Sequence, residues 1–257
     1  MNPSDMFSLA GRVALVTGGY RGIGRMIAQG FLAQGAKVYI TGRKAAACDA
    51  AAKEMSPHGQ CISLPADISK SEDIKELVHA LTRTEKQLDI LVNNAGAAWG
   101  AAFDEFPETG WDKVMDLNVK TPFFLTQALA PMLRTAAKTH VAKVINIASI
   151  DGVSNTPNET YSYVASKAGL IHLTRRMAMR LIQDNIAVNA IAPGAFASDM
   201  NREARDHGEE VAQHIPAKRI GRKEDMAAAA IYLASAAGDY VVGHTLVVDG
   251  GVNNARG

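Results

Sequence analysis

The pair of side chains best suited to acid–base chemistry is Tyr163 and Lys167, which lie four residues apart. Residues 161–183 are predicted to form a helix, in which this spacing places both side chains on one face. A phenol ordinarily loses its proton near a pH of about 10, and a neighbouring ammonium favours the phenolate and lowers that pKa. Such a pair could exchange a proton with a substrate oxygen near neutral pH.

Two further polar residues are candidates for the same site. Ser149 ends a predicted strand, where open α/β sheets bind their ligands, and its hydroxyl could hold the substrate oxygen. Asn118 lies on the predicted helix before that strand and could bind a water for proton relay. Taken singly, each residue has an ordinary structural interpretation, as a helix surface pair or a hydroxyl at a strand end. The prediction therefore depends on their occurrence together.

A glycine-rich turn lies between the first predicted strand and the helix that follows it. Gly18, Gly22 and Gly24 permit a tight turn and a close approach of a ligand to the backbone. The helix offers free N–H groups and the positive end of its dipole, which suit a pyrophosphate. A turn that only lets helix and strand pack is the alternative. The position directly after the first strand favours a dinucleotide.

The end of the second predicted strand bears on which dinucleotide binds. NAD sites usually place a carboxylate about 20 residues beyond the glycines, but here the strand ends Thr41-Gly42-Arg43-Lys44 without an acid. Arg43, together with Arg21 in the glycine turn, could pair with a 2′-phosphate, whose geometry suits a guanidinium. Both arginines could instead be solvated surface charges. We predict NADP(H) as the cofactor.

These residues would be positioned by strands that alternate with helices, one of them a long helical stretch at residues 107–137. This order predicts an α/β fold, a Rossmann-type three-layer α/β/α sandwich with a seven-stranded parallel sheet and right-handed crossovers. Residues 1–257 are predicted to form a single NAD(P)-binding domain, in which residues 195–222 form a substrate-covering lobe. The predicted strands are residues 13–17, 38–41, 61–64, 89–93, 143–148, 187–191 and 245–248.

The composition argues against several classes of protein. A formal net charge of +1 creates no strong field for nucleic acid or an anionic membrane. Cys48 and Cys61 are too few for a disulfide framework and lack metal-ligand spacing, so no metal is predicted. The first residues lack the pattern of a secretory signal, and no window of about 18 uncharged apolar residues predicts a membrane span. We expect a cytoplasmic protein.

With these motifs in this order, the chain resembles the short-chain dehydrogenase/reductase family over residues 9–251. The resemblance implies a catalytic set of Asn118, Ser149, Tyr163 and Lys167, with Lys167 holding the nicotinamide ribose. It is carried by the glycine turn, Asp67-Ile68, Asn93-Asn94-Ala95-Gly96, Asn118, Ser149, Tyr163 with Lys167, and Pro193-Gly194. The implied cofactor-binding residues are Gly18, Tyr20, Arg21, Gly22, Ile23, Gly24, Arg43, Asp67, Ile68, Asn94, Ala95, Gly96, Tyr163, Lys167, Pro193, Gly194 and Ser198.

The resemblance also implies where parts of the cofactor lie. Asp67 and Ile68 would contact the adenine, and Pro193 and Gly194 would lie against the nicotinamide. Ser198 stands where the family usually has a threonine that bonds the carboxamide, so a hydroxyl is kept at this position.

Within the family the chain most resembles 3-oxoacyl-[acyl-carrier-protein] reductases, especially the branch associated with rhamnolipid biosynthesis. This implies NADPH-dependent reduction of a carbonyl to a secondary alcohol, most simply a 3-oxoacyl thioester to the 3-hydroxyacyl thioester. Two family arginines thought to dock the acidic carrier protein correspond here to His140 and Asp184, and Asp184 would repel an acidic partner. Docking would need Arg175, Arg176 or Arg180 instead, so a CoA thioester or a smaller ketone stays open.

Several alternatives accompany this prediction. A sugar-acid or polyol dehydrogenase, or a general ketone reductase, would use the same residues, and a non-catalytic NADP-binding protein would share the fold. A serine hydrolase built on Ser149 and Asp151 is disfavoured, because Ser149 lacks the flanking glycines of a nucleophile elbow. The resemblance further implies a homotetramer, with the long helices that begin near Pro107 and Tyr161 at the interfaces.

Overall fold

The computed structural model describes residues 3–255 and contains a seven-stranded sheet whose paired strands all run parallel. The strand order is β3-β2-β1-β4-β5-β6-β7, so the direction of winding reverses between β1 and β4, where open α/β sheets bind ligands. The predicted Rossmann-type sandwich is confirmed. The strands are β1 Val13–Thr17, β2 Lys37–Thr41, β3 Cys61–Ser63, β4 Ile90–Asn93, β5 Ala142–Ile147, β6 Ile186–Pro193 and β7 Thr245–Val248.

Helices cover both faces of the sheet, as parallel strands with crossover connections require. None of the helices within residues 3–255 is long and apolar enough to cross a membrane. The helices are α1 Pro3–Met6, α2 Gly22–Ala33, α3 Ala45–Met55, α4 Ser71–Thr84, α5 Glu108–Met115, α6 Thr121–Ala136, α7 Tyr161–Leu181, α8 Arg202–Asp206, α9 Gly208–Gln213 and α10 Lys223–Ala234.

Two apolar cores lie on opposite sides of the sheet. Along β1, Ala14 and Val16 belong to the core formed with α2, α3 and α10, whereas Val13 and Leu15 belong to the core formed with α4, α6 and α7. This alternation follows from the two-residue period of a strand. Because both faces are covered, the β1 strand is apolar at consecutive positions and fully buried.

The helical stretch predicted at residues 107–137 is present and contains a wider turn. α5 ends at Met115, α6 begins at Thr121, and Asp116–Lys120 between them forms a π-helical turn. The stretch is therefore helical without a break over residues 108–136, but one turn of it is not α-helical. Such wider turns are frequent at functional sites, and this one contains Asn118, whose side chain is buried with 1% exposure.

Residues 195–222 leave the carboxyl end of β6 and reach the start of α10. They contain the short helices α8 and α9, and Phe196 and Gly221 form a parallel bridge that closes the base of the segment. Its first turn passes over the glycine-rich turn, since the Ser198 Cβ lies 3.2 Å from the position that a Cβ on Gly22 would take. The segment is thereby held at the ligand-binding edge of the sheet.

Candidate active site

The glycine-rich turn joins β1 to α2 with little room for side chains. Gly18 has a φ of +65°, which glycine adopts without strain. At Gly24 a Cβ would collide with the Gly18 carbonyl oxygen and with the side-chain amide of Asn94. Ile23 is the second residue of α2. The turn thus presents backbone N–H groups at the start of α2, which suit a pyrophosphate.

Thr17, at the end of β1, links this turn to the segment after β4. Its hydroxyl accepts hydrogen bonds of 2.9 Å from the backbone N–H groups of Asn94 and of Ala95, and it donates to the Val92 carbonyl at 3.2 Å. The Asn94 side chain in turn donates to the Thr17 carbonyl at 2.7 Å. The two predicted cofactor-binding segments are therefore joined to each other by a residue that sequence reasoning did not select.

The two arginines predicted to bind a 2′-phosphate have different surroundings. Arg21 forms a 2.8 Å ion pair with Asp199, in the segment after β6, and its guanidinium lies 5.3 Å from the centre of the Tyr20 ring. Tyr20 packs on Gly42 so closely that a Cβ there would collide with the ring. Arg43 is exposed, and within residues 3–255 no hydrogen bond or ion pair engages its guanidinium. Arg43 is therefore available to a phosphate, whereas Arg21 would first have to leave Asp199.

The remaining predicted cofactor residues lie around the carboxyl edge of the sheet. Asp67 and Ile68 follow β3, and Ile68 is buried with 6% exposure. Pro193 ends β6, and the Gly194 N–H donates a 3.0 Å hydrogen bond to the last residue of β7. Ser198 lies against the glycine turn. The structure thus brings residues from five strand ends to one edge.

Lys167 is buried on α7 and reaches the end of β5. Its Nζ donates a 2.7 Å hydrogen bond to the Ile147 carbonyl oxygen and lies 5.5 Å from the centre of the Tyr163 ring. A Cβ placed on Gly96 would be 3.7 Å from this Nζ, so the segment after β4 also borders the lysine. Burial lowers the pKa of the Lys167 ammonium to about 8, because the charged form loses its hydration.

Tyr163 lies one helical turn before Lys167 and is half-buried. Burial raises the pKa of its phenol to about 12, while a hydrogen bond with the Ser149 hydroxyl acts to lower it and the Asp151 carboxylate acts to raise it. The phenol is therefore protonated at neutral pH and can donate its proton. An added positive charge nearby would stabilise the phenolate and bring this pKa closer to neutrality.

Ser149 lies two residues after the end of β5 and has 7% exposure. Its Oγ accepts a 3.2 Å hydrogen bond from the backbone N–H of Asp151, at the start of a 3₁₀ turn spanning Ile150–Gly152. That bond uses an acceptor position of the oxygen, so the hydroxyl proton can be donated to the Tyr163 oxygen or to a ligand oxygen between the two side chains. Ser149, Tyr163 and Lys167 therefore converge at the end of β5, as the sequence predicted.

The Asn118 side chain forms three hydrogen bonds inside the protein. Its Oδ1 accepts from the Ala97 N–H at 2.8 Å, and its Nδ2 donates at 2.9 Å both to the Ala97 carbonyl and to the Ser166 hydroxyl. Ser166 then donates to the Tyr163 carbonyl at 2.7 Å. One acceptor position of Oδ1 is not used by these bonds and can take a water. Sequence reasoning missed Ser166, because a serine inside a helix carries no distinguishing signal.

Comparison with known proteins places this site in a family. Residues 18–253 match the family model described as Enoyl-(Acyl carrier protein) reductase. The rhamnolipids biosynthesis 3-oxoacyl-[acyl-carrier-protein] reductase of Pseudomonas aeruginosa is 48% identical over 249 residues, which cover 95% of this chain and 97% of the relative. The chain belongs to the short-chain dehydrogenase/reductase family.

Solved structures of short-chain dehydrogenases/reductases share the fold over nearly the full length. The Pseudomonas aeruginosa RhlG/NADP active-site complex has a TM-score of 0.94 at 47% identity, covering 98% of this chain and 100% of that chain. A gluconate 5-dehydrogenase from Burkholderia cenocepacia J2315, in complex with NADP and tartrate, has a TM-score of 0.91 at 32% identity, covering 99% and 100%. Proteins named for different substrates thus share this architecture, so the substrate must be argued from the site.

The two positions expected from the resemblance to replace carrier-docking arginines, Asp184 and His140, both contact charged side chains. Asp184 is 2.9 Å from the Nε of Arg134 and 3.2 Å from a guanidinium nitrogen of Arg180, and the hydrogen bond from Arg134 is the main reason that the pKa of its carboxyl is lowered. His140 Nε2 lies 2.6 Å from a carboxylate oxygen of the buried Asp89. The negative charge of Asp184 is therefore flanked by two cations.

Proposed function

We propose that the protein reduces the 3-oxo group of an acyl thioester to the 3-hydroxyacyl thioester with NADPH. The observation that carries the proposal is the convergence of Ser149, Tyr163 and Lys167 at the end of β5, next to the segment after β4. The 48% identity to a 3-oxoacyl-[acyl-carrier-protein] reductase supports the acyl substrate. The NADP named in complexes of similar structures supports the cofactor.

The residues present fit NADP(H). The glycine turn leaves a cradle that a Cβ on Gly24 would fill, and the end of β2 offers Arg43 where an NAD site would have a carboxylate. Lys167 would hold the nicotinamide ribose, with Pro193 and Ser198 beside the nicotinamide. When bound, the cofactor supplies the hydride that adds to the carbonyl carbon.

The side chains perform the proton chemistry. The Ser149 hydroxyl donates a hydrogen bond to the substrate carbonyl oxygen and holds it near the Tyr163 phenol. As negative charge develops on that oxygen, Tyr163 gives it a proton. The Lys167 ammonium stabilises the resulting phenolate electrostatically. A water that donates to the free acceptor position of Asn118 Oδ1 belongs to a chain that, with Lys167, passes a proton from the solvent back to Tyr163.

We assign residues 195–222 the role of a lobe that covers the substrate within the single domain. Their position over the glycine turn and the ion pair between Asp199 and Arg21 support this role. The segment also carries Met200, an apolar side chain with 53% exposure that suits an acyl chain.

An NADPH oxidation assay over a panel of carbonyl compounds tests the substrate class. The panel contains 3-oxoacyl thioesters of several lengths, carried on acyl carrier protein and on CoA, together with simple ketones and keto sugars. We expect the highest kcat/KM for the 3-oxoacyl thioesters. Turnover confined to keto sugars would overturn the acyl assignment and leave the reductase assignment standing.

A sugar-acid dehydrogenase is the second candidate function. A gluconate 5-dehydrogenase of Gluconobacter oxydans is 34% identical over 98% of this chain, and it favours a polar hydroxy acid as the alternative substrate. The hydrolase alternative lacks a base, since within residues 3–255 no histidine is hydrogen-bonded to Ser149. Cofactor binding without turnover on any member of the panel would indicate a non-catalytic NADP-binding protein.

We also propose a homotetramer. Phe123 and Phe124 on α6 stay 38% and 46% exposed and contact each other edge to face, and such aromatic side chains are enriched at subunit interfaces. Light scattering after size-exclusion chromatography tests the assembly. A mass of four chains supports it, and a monomer would contradict it.

A further inference from the structure

A buried chain of polar side chains crosses the sheet and ties it to α6 and α7. Asn93 on β4 and Asn146 on β5 are register partners, and the Asn93 side chain donates a 2.8 Å hydrogen bond to Asn146 Oδ1. Asn146 Nδ2 donates at 2.9 Å to the hydroxyl of Thr174 on α7, and Asn93 Nδ2 donates at 3.2 Å to the hydroxyl of Thr126 on α6. These four side chains, the asparagine–threonine chain, are at most 4% exposed.

The hydrogen bonds of this chain have fixed directions. The Thr174 hydroxyl donates to the Leu170 carbonyl at 2.7 Å, so toward Asn146 it acts as an acceptor. Asn146 uses its amide hydrogens toward α7 and its oxygen toward β4. A shift of α7 along β5 would leave buried donors and acceptors without partners, which is strongly unfavourable. Apolar contacts would tolerate the same shift better, because they have no direction.

Thr174 lies on the same side of α7 as the catalytic pair. Lys167 follows Tyr163 by four residues and Thr174 follows Lys167 by seven, spacings of about one and two helical turns. Lys167 makes a second tie to β5 through the Ile147 carbonyl, directly after Asn146. Ser149 comes three residues after Asn146, so the end of β5 both binds α7 and leads directly into the turn that carries the proposed catalytic hydroxyl.

We propose that Asn146 and Thr174 are positioning residues for the reduction. They hold α7 in the register against β5 that places the Tyr163 phenol beside the Ser149 hydroxyl and the Lys167 ammonium beneath the Tyr163 ring. The inference rests on the proposed function for its kinetic consequence only. Neither side chain belongs to the set that contacts substrate or cofactor, and the consequence of losing the tie is a misplaced proton donor.

Thr174→Val tests the proposal, because valine keeps the shape of threonine and removes the hydroxyl. Thr126→Val is the matched control. Thr126 is equally buried, donates to the carbonyl four residues earlier and accepts from an asparagine amide, but it ties α6 rather than α7. Thr174→Ser restores the hydroxyl. Thr174→Ala replaces Thr174→Val if urea unfolding shows that the valine variant does not fold.

We expect kcat of Thr174→Val to fall by about tenfold or more with KM nearly unchanged, against at most about threefold for Thr126→Val, because small misplacements of reacting groups are costly. Thr174→Ser should recover most of the loss. The pH profile of kcat should shift in Thr174→Val alone, since a displaced α7 changes the burial of the Tyr163 phenol and its hydrogen bond with Ser149, which set the pKa of the phenol. Equal losses in the two valine variants, or normal kcat in Thr174→Val, would overturn the proposal.

Hydrogen exchange supplies a readout that is independent of turnover. Backbone amides in the first turns of α7 should exchange faster in Thr174→Val than in the wild type and in Thr126→Val. Faster exchange is expected even if the substrate is not an acyl thioester. If the proposed function is wrong, turnover on acyl thioesters is absent but exchange in α7 still changes; if the register inference is wrong, exchange in α7 stays the same. Unchanged exchange in α7 would overturn the inference.

Discussion

The Lys167 ammonium lies 5.5 Å from the centre of the Tyr163 ring and hydrogen-bonds the Ile147 carbonyl instead of the phenol oxygen. Within residues 3–255 no direct hydrogen bond joins the Lys167 and Tyr163 side chains, so in the proposed mechanism the lysine can stabilise a phenolate only through its charge. That charge is held in a buried position where hydration is lost, which is why the pKa of Lys167 falls to about 8.

The lowered pKa of Lys167 predicts a pH-dependent stability. Between about 8 in the folded protein and about 10.4 in the unfolded chain, the unfolded state binds more protons at this residue. The free energy of unfolding should therefore gain up to about 1.4 kcal/mol per pH unit across that window, relative to Lys167→Met. Urea unfolding of both proteins from neutral pH to about 9.5, below the range where the unfolded tyrosines titrate, measures the difference. A difference that does not change with pH would contradict the prediction.

Arg43 should determine the preference for NADPH. Loss of a charge-assisted contact to the 2′-phosphate in Arg43→Ala should lower kcat/KM for NADPH by about tenfold to a hundredfold and leave kcat/KM for NADH nearly unchanged. Steady-state kinetics with both cofactors provide the measurement. Arg83→Ala removes an exposed arginine from α4 as the control. Equal losses with both cofactors would show that Arg43 does not contact the phosphate.

Gly24→Ala should disrupt the cofactor cradle. Its Cβ would meet the Gly18 carbonyl oxygen and the Asn94 amide. The amide cannot withdraw without breaking its 2.7 Å hydrogen bond to the Thr17 carbonyl and its 3.4 Å hydrogen bond to the Gly18 carbonyl. We expect weaker NADPH binding, by about tenfold or more, measured by calorimetry. Gly169→Ala is the control, since a Cβ there meets only a Val119 methyl at 3.8 Å. Normal NADPH affinity in Gly24→Ala would show that the cofactor does not bind against this turn.

The Asp184 ion pairs lead to a prediction about the carrier. Asp184→Asn would release Arg134 and Arg180 toward an acidic carrier protein and should lower KM for the acyl carrier protein substrate by about threefold at low salt. KM for an uncharged N-acetylcysteamine thioester should not change. Glu72→Gln removes the same charge from a distant pair with Lys75 as the control. An equal fall in KM in both variants would show that the acyl carrier protein does not dock near Asp184.

Much of the fold could be predicted because each strand is a short apolar run bounded by turn residues. β1 was predicted with its observed ends, and the order of elements gave the parallel sheet. The π-helical turn at Asp116–Lys120 could not be predicted, since its sequence is compatible with an ordinary α-helix. The wider turn depends on contacts with distant parts of the chain. Among them are the hydrogen bonds that join the Asn118 side chain to Ala97 and to Ser166.

Ser149, Tyr163 and Lys167, the proposed catalytic residues, could be selected from the sequence because their types are chemically distinctive and occur in a fixed order. Their supporting partners could not be. Thr17 contacts Asn94 across 77 positions and Arg21 contacts Asp199 across 178, distances at which sequence spacing carries no information. The NADP-binding role expected of Arg21 therefore depends on the ion pair with Asp199, which is visible only in the folded chain.

The proposed mechanism requires Tyr163 to donate the proton to the substrate oxygen. Single-turnover oxidation of bound NADPH by a 3-oxoacyl thioester, compared between wild type and Tyr163→Phe, tests it most directly. Tyr161→Phe is the matched control, because it removes an exposed phenol from the same helix turn. We expect the rate to fall by about 10²- to 10⁴-fold in Tyr163→Phe with NADPH affinity unchanged, and to stay normal in Tyr161→Phe. A wild-type rate in Tyr163→Phe would contradict the account.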